Sequence, residues 1–265
     1  ENWGRSDEEG NYTVPIQLLV PNGYLTATSI VPLPDLYATG KGFTCTGLAH
    51  DDSNNTFLVG DIGILLPNGG TIKSQIVRLS ADFGTVVGTI PLYIAFPSMG
   101  DIQGITIDTS DGTIWFCAPS ANKIYHISTT GENLGDISVT SPTGIAYSAV
   151  DDSFWVLNYN NKIMRVSKTE AVLETYDFAY NEALDQCFLD EGHGYLYITA
   201  GVNYSGRNNV YLFDTNTHSQ TIACTVDSYS VEGIWIGTDR MVIVNDGYYH
   251  SATDSRNVAN TYDLR

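Results

Sequence analysis

Apolar and polar residues alternate with a period of two along much of this 265-residue chain, in short stretches separated by polar turns. The clearest stretch, residues 103–108, runs through a turn at 110–112 into a second stretch, 113–116, which carries Trp115 and Phe116. This period, together with β-branched and aromatic side chains, predicts antiparallel β-strands joined by tight turns. Helical periodicity is not convincing anywhere, so the pattern predicts an all-β protein.

The same unit recurs along the chain. A small-residue turn precedes an apolar strand at positions 47, 104, 144, 186 and 233, which are separated by 57, 40, 42 and 47 residues. A third strand also recurs, at 75–79, 123–127, 162–166 and 210–214, and several units continue into a fourth. Repeats of this length and content are typical of β-propeller blades. We therefore predict a single propeller of five four-stranded blades, with a six-bladed ring as the alternative.

The last repeat leaves room for three strands before Arg265, which would leave one sheet edge open. An open edge invites aggregation, and two stretches near the start of the chain, 13–20 and 25–31, have the pattern of spare strands. We expect one of them to complete the last blade and close the ring. The predicted organisation is an N-terminal segment, 1–41, that supplies the closing strand, and a propeller, 42–265, within one domain.

Charge excludes one class of partner. The chain has 30 acidic and 12 basic residues, for a formal charge of −18, so its surface should repel phosphates and a nucleic-acid partner is not expected. No apolar run reaches the roughly 20 residues of a membrane helix, so membrane insertion is not expected either. Three Asn-X-Ser/Thr triplets, at 11–13, 54–56 and 203–205, favour an extracellular or secreted protein or a virion-associated appendage.

The four cysteines are isolated in the sequence, without the paired spacing of a zinc site. In the repeat, Cys187 falls on an innermost strand and Cys224 near the outermost strand of the same unit, too far apart to form a disulfide. We expect buried free thiols.

Candidate ligand-binding residues come from the repeat register. In propellers, the starts of the innermost strands and the ends of the second strands open onto one face around the central channel. Thr46 and Asp61 fall on this face together with the candidates given below. A ring of carboxylate, amide and hydroxyl oxygens of this kind suits calcium or a hydroxyl-rich glycan. The alternative is that these side chains cap strands and hold channel waters. The candidates are Gln103, Thr143, Asn158, Asp185, Glu232, Asn245 and Asp246, with Tyr248 and Tyr249 on the rim.

The opposite face also receives many acids, which follow the innermost strands in positions that tight turns favour. We attribute them to turn chemistry, because Asp and Gly satisfy such connections without a ligand.

The recurring pattern of an apolar strand ending in Asp, a Gly-containing turn and a Trp- or Tyr-bearing strand resembles the propeller superfamily of NHL-repeat, SMP-30/gluconolactonase-like and SdiA-regulated-like proteins. Residues 103–116 and 232–247 carry the resemblance best. It implies a divalent metal held by a Glu at a strand start with Asn and Asp partners. Here those positions would be taken by Glu232, Asn158 and Asp185.

Three functions remain open at this point. The leading hypothesis is a non-catalytic, receptor-binding or carbohydrate-binding propeller that recognises a glycan or another cell-surface ligand on the channel face, either with calcium as the cofactor or with none. The alternative is a metal-dependent hydrolase or lactonase, or a glycosidase, that uses the adjacent carboxyl groups of Asp185 and Glu232 as catalytic residues. The third is a structural propeller whose faces serve protein contacts.

Overall fold

The computed structural model describes residues 22–65, 71, 72, 74–200, 207–246 and 257–265. Its strands form five main sheets around a ring, each antiparallel within its four propeller strands, which confirms the predicted five-bladed β-propeller. A short 3₁₀ turn, Pro119–Ala121, lies between the second and third strands of one blade. No helix in the described part of the chain is long and apolar enough to cross a membrane.

The blades follow one another along the chain, each running from the channel outward. Blade 1 contains β3 (Cys45–Asp51), β4 (Thr56–Asp61), β7 (Gln75–Ser80) and β8 (Val86–Pro91), with a small hairpin of β5 (Ile64–Leu65) and β6 (Thr71–Ile72) inserted. Blade 2 contains β9 (Ile105–Ile107), β10 (Ile114–Ala118), β11 (Lys123–Ile127) and β12 (Asn133–Ser138). Blade 3 contains β13 (Pro142–Ser148), β14 (Ser153–Asn158), β15 (Lys162–Ser167) and β16 (Val172–Asp177).

Blades 4 and 5 each receive a strand from the start of the chain. Blade 4 contains β17 (Cys187–Asp190), β18 (Tyr195–Thr199), β19 (Asn208–Asp214) and β20 (Gln220–Val226), and β1 (Gly23–Leu25) pairs in parallel with β20. Blade 5 contains β21 (Val231–Ile236), β22 (Arg240–Asn245), β23 (Val258–Asp263) and, as its outer strand, β2 (Ser29–Pro32).

Ring closure by an N-terminal strand is confirmed. Strand β2 pairs antiparallel with β23 and places Val31 opposite Ala259. The backbone N–H of Leu33 donates to the carbonyl of Asn257 at 2.9 Å, which continues the pairing beyond the strand. The other candidate stretch, 13–20, lies outside the described residues.

The hydrophobic core is divided into five clusters, and each fills the space between two neighbouring blades. Between blades 1 and 2, for example, Leu58 and Ile76 pack with Ile114 and Phe116. Since the second strand of a blade has a neighbour on both faces, every residue of β14 is buried, whereas the outer strand β16 alternates between exposed and half-buried positions. The second strands therefore lack the period-two pattern that marks the outer strands.

The four cysteines are free and buried, as predicted. Burial raises the pKa of all four thiols, which keeps them protonated and unreactive at neutral pH.

Around the channel, the innermost strands approach backbone to backbone. The N–H of Gly47 donates to the carbonyl of Gln103 at 3.2 Å, and the N–H of Gly104 donates to the carbonyl of Thr143 at 2.6 Å. A Cβ on Gly104 would lie 2.6 Å from that same oxygen, closer than real contacts allow. The recurring glycine therefore marks the point where one blade meets the next, and it sets the width of the channel.

Candidate functional site

Three of the predicted strand-start positions lie in irregular pairing at the beginning of an inner strand. The register shifts between Cys45 and Leu48, between Pro142 and Ile145, and between Val231 and Ile234. Such bulges redirect side chains and are common beside functional sites. The shifts enclose Thr46, Thr143 and Glu232, on the side of the ring that we call the channel-mouth face.

Glu232 is the most perturbed carboxyl group on this face. Only 8% of the residue is exposed. Burial, followed by the negative charges of Asp246 and Asp185, raises its pKa well above the ordinary value of a glutamate. We call Asp185, Glu232 and Asp246 the mouth cluster. Glu232 is thus a buried carboxyl group with a raised pKa, held beside two further acids.

Neighbouring groups respond to the same charges. Partial burial, and then Asp185, Glu232 and Asp101, raise the pKa of the half-exposed Tyr159 to about 12. This tyrosine follows β14, so its side chain brings an aromatic ring to the channel-mouth face. The cluster therefore combines carboxyl groups with a phenol.

Asp246 follows β22 and is 4% exposed, and its Oδ1 accepts a hydrogen bond from the hydroxyl of Ser230 at 2.6 Å. Asp61 ends β4 and is fully buried; it accepts hydrogen bonds from the hydroxyl of Tyr37, from Gln75 Nε2 at 3.0 Å and from the N–H of Gly63 at 2.9 Å. Burial raises the pKa of Asp61. Its bond with Tyr37 ties the segment between β2 and β3 onto blade 1.

The predicted amides hold strand ends. The Oδ1 of Asn158 accepts the N–H groups of Asn160 and Lys162, each at 3.1 Å, which closes the turn after β14. Asn245 is buried, and its Nδ2 donates to Ser228 Oγ at 3.0 Å. The geometry thus gives both amides a structural task and does not bring Asn158 into a hydrogen bond with the mouth cluster.

Thr143 and Gln103 lie where neighbouring inner strands meet. The carbonyl of Gln103 accepts from Thr46 Oγ1 at 3.4 Å, and Thr143 is fully buried with a hydroxyl that bonds no described residue. Tyr248 and Tyr249 lie outside the residues that the structure describes.

Sequence reasoning missed Gln186. It occupies the register position that is glycine in the other four blades, and its Nε2 donates to the carbonyl of Thr143 at 3.1 Å, which joins blades 4 and 3. The departure from glycine at this position was the signal in the sequence that could have identified Gln186. Thr199 Oγ1 similarly joins blade 4 to blade 5 by donating to the carbonyl of Glu232 at 2.7 Å.

Within the described ranges, no group of three or more His, Cys, Asp or Glu side chains is arranged to hold a metal ion. Calcium therefore stays a prediction that rests on the proximity of the mouth-cluster carboxyl groups.

On the opposite face, where the inner strands end, acids bond to turn groups and to bases. Asp51 accepts from the N–H and hydroxyl of Ser53 and pairs with Arg78, while the ammonium group of Lys168 bridges Asp108 and Asp152. This agrees with the turn chemistry predicted from the sequence.

The opposite face also carries two cavities that the sequence did not predict. A central funnel of about 470 Å³ opens where the inner strands end, and a cleft of about 540 Å³ lies between blades 3 and 4. The two share Leu189 and Glu191, so they adjoin.

Comparison with known proteins supports the fold. No family model and no curated protein matches the chain. Among solved structures, glutaminyl cyclase of Myxococcus xanthus is 10% identical, with 91% of this chain and 97% of that chain covered and a TM-score of 0.60. A chain of the nidogen/laminin complex is 14% identical, covering 77% of this chain and 72% of that one, with a TM-score of 0.53. The RRP9 WD40 repeats are 12% identical over 88% and 66%, with a TM-score of 0.52. At these identities the similarity shows a β-propeller and no particular activity.

Proposed function

We propose that this propeller is a recognition module whose ligand binds at the mouth cluster. The observation that carries the proposal is the buried carboxyl group of Glu232, whose pKa is raised by burial and by the charges of Asp246 and Asp185. Crowding carboxyl groups in a buried place is unfavourable in the free protein. A ligand that brings positive charge relieves that repulsion, so the same repulsion that destabilises the free protein favours ligand binding.

The ligand class follows from this chemistry. Calcium accepts carboxylate and carbonyl oxygen ligands, and a bound calcium ion presents open positions to the hydroxyl groups of a glycan. A calcium-assisted glycan or another cell-surface ligand is therefore the leading candidate, in an extracellular or virion-associated setting. A protein surface is the other binding partner that we consider, since the nidogen/laminin structure is a complex of proteins on a similar fold.

The test measures calcium binding by thermal shift and calorimetry, with calcium chloride against a chelator. We expect calcium to raise the melting temperature of the natural protein, and the shift to be lost in Glu232→Gln. Glu132→Gln is the matched control, because Glu132 is exposed in the turn between β11 and β12. The glycan-array signal should then depend on calcium. Absence of a shift, with array binding that survives Glu232→Gln and Asp185→Asn, contradicts the proposal.

A second candidate is hydrolysis of a lactone, ester or glycoside. The raised pKa of Glu232 suits a general acid at neutral pH, and Asp185 contributes a nearby carboxyl group of the kind that activates water. Turnover of a lactone or aryl glycoside that disappears in Glu232→Gln and in Asp185→Asn would favour this function over recognition alone. A resemblance to SMP-30-like enzymes supports it.

A further inference from the structure

The cleft between blades 3 and 4, on the face opposite the mouth cluster, has the composition of a binding site. Its volume is about 540 Å³, and Trp155 of β14 and Tyr176 of β16 contribute aromatic surface to its lining. The hydroxyl of Tyr176 lies 2.9 Å from His218 Nε2, which joins the outer strand of blade 3 to the turn before the outer strand of blade 4. The cleft is therefore built from both blades, and this hydrogen bond spans it.

Charge in the cleft is unbalanced. Three carboxylates line it, those of Asp151, Glu174 and Glu191, against one guanidinium, that of Arg165. Arg165 is already engaged, because its Nη1 lies 2.9 Å from Glu174 Oε1 and its Nη2 pairs with Asp151. An anion would therefore meet an excess of carboxylates beside a guanidinium that two of them already neutralise.

Glu191 is the cleft carboxylate that Arg165 does not neutralise. Its Oε1 accepts hydrogen bonds from Ser148 Oγ at 2.7 Å and from the N–H of Val150 at 2.9 Å, so blade 3 fixes a carboxylate that belongs to blade 4. No residue in the described part of the chain bonds its second oxygen, Oε2. The carboxylate is thus held in place and presents one oxygen for a donor from outside.

We infer that this cleft binds a basic side chain, arginine or lysine, from a peptide segment of a partner protein. The cation would donate to Glu191 Oε2, and its stem or planar guanidinium would pack on the aromatic surface of Tyr176 and Trp155. A neutral saccharide would leave the surplus carboxylate uncompensated, which is why charge complementarity favours the peptide. This site is separate from the mouth cluster and does not depend on the proposed function there.

Fluorescence anisotropy with a labelled peptide of four arginines, in about 150 mM NaCl, tests the inference. We expect Glu191→Gln, which keeps the oxygen that Ser148 bonds, to weaken binding about tenfold or more. Val150→Lys should weaken it similarly, because Val150 is 82% exposed at the cleft and the new cation would compete for the carboxylates. The melting temperature of each variant checks that it folds.

The matched controls make the same changes elsewhere. Glu132→Gln removes an exposed acid, and Val87→Lys adds a base at an exposed position of the outer strand β8 in blade 1. Both should leave peptide binding unchanged. Equal weakening in the cleft variants and the controls would show diffuse attraction to a chain of charge −18 and overturn the inference. Glu191-dependent binding of a neutral oligosaccharide without peptide binding would also overturn it.

Discussion

Adding a single methyl group at Gly104, where blade 2 meets blade 3, tests the fold most directly. A Cβ built there lies 2.6 Å from the carbonyl oxygen of Thr143 and 2.9 Å from the backbone nitrogen of Ile145. Both atoms belong to the backbone of the next blade, so no side-chain rotation can relieve the contact. Gly104→Ala must therefore push the two inner strands apart.

The size of the effect follows from the distances. Reaching an ordinary contact of 3.4 Å requires a separation of about 0.8 Å, which would also stretch the 2.6 Å hydrogen bond from Gly104 N–H to Thr143. Overpacking a dense interior costs about 1–3 kcal/mol, and a weakened hydrogen bond adds about 1 kcal/mol. We expect the free energy of unfolding to fall by about 3 kcal/mol, which in a domain of this size lowers the melting temperature by roughly 6–12 °C.

Urea unfolding followed by tryptophan fluorescence measures this difference, and Gly88→Ala is the matched control. A Cβ at Gly88, in the outer strand β8, meets nothing within 4 Å, and its φ is one that alanine adopts. The control should be neutral or slightly stabilising, because alanine restricts the unfolded chain. If the two variants unfold at the same urea concentration, the close approach of the inner strands is not the reason that glycine occupies position 104, and the reasoning is refuted.

Three further predictions concern charge and ring closure. The melting temperature of Glu232→Gln should exceed that of the natural protein by a margin that grows from pH 5 to pH 8. The folded-state pKa of Glu232 is raised, so the natural protein loses stability as the pH rises towards that pKa, whereas glutamine does not titrate; a constant difference contradicts this. Lys168→Ala should cost about 3 kcal/mol in urea unfolding by leaving the buried Asp108 carboxylate unpaired, whereas Lys162→Ala at an exposed pair should cost far less; equal losses contradict this. Cysteines at Val31 and Ala259, directly opposite on β2 and β23, should form a disulfide that raises the melting temperature, and failure to oxidise would disprove the closing register.

The repeat could be predicted because the same physical constraint acts in four of the five blades. In each of these, the inner strand passes its neighbour at backbone distance, so glycine recurs at positions 47, 104, 144 and 233, and the chain shows the period directly. Strand β1 could not be predicted in this way, since three residues, Gly23–Leu25, are too short to show alternation and pair in parallel with a distant strand.

The candidate site was predictable only in part. The register placed Glu232 and Asp185 on one face, and the structure brings them close enough for the charge of Asp185 to raise the pKa of Glu232. The amide of Asn158 has the same chemistry whether it closes a turn or holds a ligand, so its identity alone could not decide between the two. The blade 3–4 cleft depends on pairs such as Tyr176 and His218, which are 42 residues apart and come from different repeats. A pattern that describes one repeat at a time cannot show such a pair.

The two faces of the ring use acids in opposite ways, and this difference bears on function. Although burial opposes it, hydrogen bonds from Ser53 and Asn54 and the charge of Arg78 lower the pKa of Asp51 on the opposite face, so its ionised form stabilises the fold. At the channel mouth, burial and like charges raise the pKa of Glu232, so its ionised form destabilises the fold. Glu232→Gln should therefore stabilise the free protein and weaken the binding of its cationic ligand, a combination that a purely structural acid does not give. The directions of these two pKa shifts therefore distinguish Asp51, whose charge holds a turn, from Glu232, whose charge favours a cationic ligand.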